Sequence, residues 1–211
     1  MYEIDINGLD NLMETAREGL KYAWEHYDEL TAREHSHVLY GTLDPPLGAC
    51  MPSNLVPRRC RNLKKATRRK EYTIYQLDEF FRVLRTIDMV FYSKVDEVCH
   101  HFELKDMIFA CPFSWGEKKK FDDRIHAYQF KDGKPVFFMD SMKNYLYAEF
   151  CEYVSADKMI VTRYSYWPNS EYTQSGYKAD RNAPLGAPNS PVQRSCREEI
   201  PAYIDFSHWF I

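Results

Sequence analysis

Apolar residues at Leu9, Leu12, Met13, Ala16, Leu20, Ala23, Trp24, Tyr27 and Leu30 recur every three or four positions, the interval that lines up one stripe along an α-helix. The spacing predicts an amphipathic N-terminal helix within residues 1–34, with Asp5 or Asn7 placed to cap its start. A second series of the same period runs through Leu77, Phe80, Phe81, Leu84, Ile87, Phe91, Val95, Val98 and Phe102, with Thr73 and Gln76 ahead of it at the spacing of a capping box. It predicts a long central helix, bent near Asp88. Beyond Phe102 the period shortens to two. Segments 106–113, 124–130 and 135–140 are rich in β-branched and aromatic residues, and Lys131-Asp132-Gly133-Lys134 joins the last two as a hairpin turn. Segments 145–154 and 159–167 form a second hairpin across residues 155–158. Short turns between neighbours predict an antiparallel meander of about four strands, with the helices covering one face.

Elsewhere the pattern is interrupted. Pro45, Pro46, Pro52 and Pro57, with Gly41 and Gly48, break up residues 31–57, and a Pro-, Gly-, Ser- and Asn-rich stretch follows Trp167 to about Gln193 as a long loop. The aromatic end, residues 200–211, is expected to return to the core or to a partner. The fold class that results is α+β in a single domain over 1–211: an N-terminal helix (1–34), a Pro-interrupted and basic connection (35–70), a helix-plus-meander core (71–167) and a loop-rich C-terminal segment (168–211). At 211 residues, 45% of them hydrophobic, the chain is long enough to bury one real core.

Charge changes this picture. Residues 58–70 carry eight positive charges and no negative one: Arg58, Arg59, Arg61, Lys64, Lys65, Arg68, Arg69 and Lys70. The whole chain has a net charge of -3, so the remaining 20 basic and 31 acidic residues sum to -11. A positive run on an acidic body is an electrostatic address for phosphates or acidic protein surfaces. Basic side chains three, four and seven residues apart, as at Arg61, Lys64, Lys65 and Arg68, reach phosphates along one side of a helix. Residues 1–34 have the opposite balance, nine acidic against three basic.

Other chemistry is sparse. The pair His35-Ser36-His37 resembles the metal-holding histidines of rolling-circle nickases, but Arg33-Glu34 stands where that family has apolar residues, and no tyrosine–lysine nucleophile motif accompanies it. Val38–Thr42 together with Glu198 and Glu199 resembles the Gly-Thr strand and late glutamate of ADP-ribosyltransferases, with Tyr40 where a His or Arg is expected. Cys99, His100, His101 and Cys111 are grouped without the paired spacing of a zinc site. No phosphate-binding loop, dinucleotide turn, nucleophile elbow or HExxH helix is present. No metal and no cofactor are expected. The six cysteines read as free thiols. With an acidic N-terminal decapeptide and no long apolar run, they suggest a cytoplasmic protein that does not engage a membrane.

These observations favour a non-catalytic binding module that contacts nucleic acid, or a nucleic-acid-binding protein, through residues 58–70. Two alternatives stand beside it. One is an acidic and aromatic protein-interaction factor, such as an inhibitor or adaptor of a nucleic-acid enzyme. The other is an enzyme whose site is assembled from distant residues and leaves no short motif.

Overall fold

The structure is a computed structural model and describes residues 4–41, 72–80, 82–90, 94–114, 123–132, 134–155, 158–168, 178–184 and 187–201. Two helices, α1 (Ile6–Glu25) and α2 (Tyr27–Ala32), precede ten strands: β1 (His37–Gly41), β2 (Tyr72–Leu77), β3 (Val83–Val90), β4 (Lys94–Leu104), β5 (Met107–Ser114), β6 (Arg124–Lys131), β7 (Lys134–Met142), β8 (Tyr145–Ser155), β9 (Lys158–Tyr166) and β10 (Val192–Pro201). All ten form one antiparallel sheet in which every strand lies beside its sequence neighbours.

The N-terminal helix forms where the spacing places it. The Asp5 carboxylate accepts a hydrogen bond from the Gly8 amide at 2.8 Å, satisfying one of the orphan donors of the first turn. Leu9, Met13, Ala16, Gly19 and Ala23 are buried in a cluster with Phe109, Ile125, Met139, Tyr164 and Tyr166 of the sheet. Gly19 is required for this contact, because a Cβ there would stand 2.6 Å from the Phe109 ring and 3.0 Å from Ile125 Cδ1. Asp10 ties the helix down further by accepting hydrogen bonds from the Tyr166 hydroxyl and the Arg181 guanidinium.

The long central helix does not exist. Its residues are β2, β3 and β4, so the α+β expectation of about four strands gives way to a predominantly β protein with ten. The physical reason lies in the sequence between the apolar positions. Tyr72, Thr73, Ile74, Tyr75, Val83, Thr86, Ile87, Val95 and Val98 are aromatic or β-branched and favour extended backbone. Burial along β2 also alternates, with Thr73, Tyr75 and Leu77 inside and Ile74 and Gln76 half-exposed. Thr73 and Gln76 therefore form no capping box; the Thr73 hydroxyl instead donates to Asp88 across the β2–β3 pair at 2.6 Å. A turn cuts the apparent helix at Asp78, whose carboxylate accepts from the amides of Phe80 and Arg82 at 2.9 and 2.8 Å.

The two hairpins expected within residues 124–167 form, as β6–β7 and β8–β9. Lys131 pairs with Lys134 around the β6–β7 turn, and Ser155 with Lys158 around the β8–β9 turn. Strand β10, which begins where the expected loop ends and lies in the segment expected to be loop-rich, pairs with β9 from Val192↔Tyr166 to Pro201↔Lys158. Its Arg-, Glu- and Gln-rich sequence hides the pairing, because backbone hydrogen bonds can join a strand to a sheet whatever its side chains. Strand β1 lies within the expected connection and forms the opposite edge of the ladder.

Candidate functional site

Arg58, Arg59, Arg61, Lys64, Lys65, Arg68, Arg69 and Lys70 lie outside the described residues. Their tethers are described. Strands β1 and β2 pair antiparallel, with Gly41 opposite Thr73, so the 42–71 segment leaves and rejoins the sheet at adjacent positions on its β1 edge.

The other sequence candidates are dispersed by the fold. His35 precedes β1 and His37 begins it, so the two do not share a strand face. Gly41 lies on β1 while Glu198 and Glu199 lie on β10, at opposite ends of the strand order. Strand alternation separates Cys99 from Cys111: Cys111 packs in the cluster under α1, and Cys99 packs with Ala110, Tyr128 and Phe138 on the other face. Among the described residues, no group of three or more His, Cys, Asp or Glu is placed to hold a metal ion. On α1 Glu14 pairs with Arg17, Glu25 with Lys21 and Glu18 with Lys105.

A polar row that the sequence does not reveal runs across the face away from α1. Register places His101 opposite Ala110, Ala110 opposite His126, His126 opposite Asp140 and Asp140 opposite Tyr147. Arg124 grips Asp140 through Nε and a terminal nitrogen at 3.0 and 2.8 Å, with His126 Nδ1 at 3.6 Å from the same carboxylate. Two residue pairs along the ladder, the fully buried Glu149 accepts from Arg163 Nε at 2.9 Å and from the Tyr147 hydroxyl. His101 Nε2 lies 3.2 Å from the Thr86 hydroxyl.

These residue types can do acid–base chemistry, but their surroundings suppress it. Burial pulls His126 down to about 4, overriding the opposing pull of Asp140, and takes His101 to about 3 with help from His100 and His126. Burial also pushes the Tyr147 phenol up, reinforced by Glu149. At neutral pH the imidazoles and the phenol are uncharged, and both carboxylates are held by guanidinium groups. A general base needs a pKa near the working pH, and neither histidine has one. The row is a set of charge-assisted bonds that fastens β6 to β7 and β8 to β9. A polar residue at every second position, as at Arg124, His126 and Tyr128 or Tyr147 and Glu149, was the available sequence signal; only strand register turns it into pairs.

The chain matches no protein family, no curated protein and no solved structure. Among the described residues no helix is long and apolar enough to cross a membrane.

Proposed function

We propose that the protein is a non-catalytic binding module that contacts nucleic acid or a nucleoprotein through Arg58, Arg59, Arg61, Lys64, Lys65, Arg68, Arg69 and Lys70. The observation that carries this reading is eight positive charges in thirteen residues on a body of net charge -11, within a segment whose two ends are pinned side by side on β1 and β2. Pinning both ends lowers the ordering cost of contact compared with a free tail. Lys and Arg contacts to phosphates release counterions, so the binding is salt-sensitive and largely blind to base sequence. The acidic-surface alternative has less support, because Glu14, Glu18 and Glu25 already face cations of the same molecule.

Fluorescence anisotropy with labelled single-stranded DNA, double-stranded DNA and RNA at low and moderate salt tests the proposal. Wild type should bind at least one of them with strong salt dependence, and a Lys64/Lys65/Arg68/Arg69→Ala variant should lose that binding while keeping its circular dichroism. Failure of the folded wild type to bind any of the three, or equal binding by the variant, would overturn it.

A further inference from the structure

The β3–β4 ladder ends early. Its last pair at this end is Arg85↔His100, although β3 starts at Val83 and β4 continues to Leu104. Val83 stays with β2, opposite Leu77, and residues His101–Leu104 stay with β5. The two strands part and leave a cleft of about 400 Å³ whose apolar wall is Val83, Leu84, Phe102 and Ile108. That volume falls within the range of small-molecule sites, roughly 300–1,000 Å³.

The charged groups lining the cleft are Arg33, Arg82, Asp78 and Glu103, with both carboxylates acting on Arg82. At its outer side Arg82 is matched by Asp78, 2.7 Å away, and its guanidinium also stands 5.4 Å from the centre of the exposed Phe80 ring. Arg33, which also lines the cleft, donates to the His101 carbonyl at 2.9 Å and has no carboxylate within ion-pair distance among the described residues. Five N–H donors on a guanidinium leave several for another acceptor. Nearby Arg85 gives its terminal nitrogen to the Thr31 carbonyl at 2.8 Å, while its buried Nε has no hydrogen-bond partner. Burial, and next Arg33, depress Arg85, so the two guanidiniums are close enough to repel. Neither has a described carboxylate to neutralise it.

We propose that this cleft binds a small organic anion, a carboxylate or a phosphate monoester, with its charged group received by Arg33 and its apolar body laid along Val83, Leu84, Phe102 and Ile108. Planar bidentate pairing is what a guanidinium offers such groups. An anion at Arg33 also offsets the Arg33–Arg85 repulsion. The cleft adjoins Leu77, at the end of β2 away from Thr73.

Amide chemical shifts of the full chain, titrated with benzoate, phenyl phosphate and the uncharged benzyl alcohol, test this. One or both anions should give saturable shifts at Arg33, Leu84, His101, Phe102 and Ile108, and the tighter of the two identifies the head group. Benzyl alcohol should bind about tenfold more weakly or worse, as should either anion to an Arg33→Gln variant. Leu84→Phe, which fills the cleft and leaves Arg33 in place, should abolish the shifts with the circular dichroism spectrum retained; this variant decides the matter if Arg33→Gln fails to fold. Absence of saturable shifts, equal response to benzyl alcohol, or full binding by folded Leu84→Phe would overturn the proposal.

Discussion

His100 and His101 on β4 and His126 on β6 are buried, and burial is the largest cause pulling each below the ordinary value of 6.5, to about 4, 3 and 4. The unfolded chain takes up these protons near pH 6.5, whereas the folded chain resists until pH 4 or lower. Between those limits the unfolded state binds more protons, so stability rises with pH. The histidine contribution is complete above pH 6.5 and is lost as pH falls toward 4. Urea midpoints at pH 7.5, 6.0 and 5.0 should therefore drop in order. His101→Gln, with an amide still able to meet Thr86, should flatten that decline by up to about 1.4 kcal/mol per pH unit. Little of this was legible in the sequence. Asp5 announces itself as a cap because capping is local, whereas His101 and His126 become neighbours of one another only once Ala110 is known to lie between them.

Single turns and helix contacts show the same division between local and distant information. Lys105 and Asp106, the two residues between β4 and β5, have φ of 51° and 61°, the left-handed region demanded by a two-residue hairpin and disfavoured for side chains with a Cβ. Asp106→Gly should stabilise the protein by roughly 0.5–1 kcal/mol, the relief exceeding the added freedom of the unfolded chain, as a higher urea midpoint with an unchanged slope. Gly19→Val should do the reverse. Its side chain meets the Phe109 ring, itself stacked on Phe102 at 5.5 Å, and the overpacking should cost about 3 kcal/mol in the same measurement. Helix α1 and the β6–β9 hairpins were readable because their periods are pure and their turns short. Residues 72–104 were misread because their apolar spacing fits a helix while their β-branched and aromatic content, and the Asp78 turn, require strands. No local rule ranks those signals; pairing with β1 and β5 does.

For the whole molecule, charge segregation sets the reach of any polyanion. The -11 body should repel phosphates that extend past residues 58–70, so affinity should stop rising once an oligonucleotide spans that stretch. With single strands, the slope of log K against log salt should not exceed about 6 in magnitude, the limit for eight phosphate contacts. Anisotropy over a series of oligonucleotide lengths and salt concentrations measures both. Charge is the one part of the candidate interface the sequence makes plain, since it needs no geometry, while the parting of β3 from β4 leaves no trace in residue order. The neighbour-to-neighbour order of the sheet does not extend to the first helix: α1 rests on Phe109 and Ile125 of β5 and β6, in the middle of the meander. Synthesis therefore delivers the helix long before its seat. A nascent chain halted after β4 would display a bare apolar stripe, the feature that holdase chaperones grip, and release would come with translation of Arg124–Lys131.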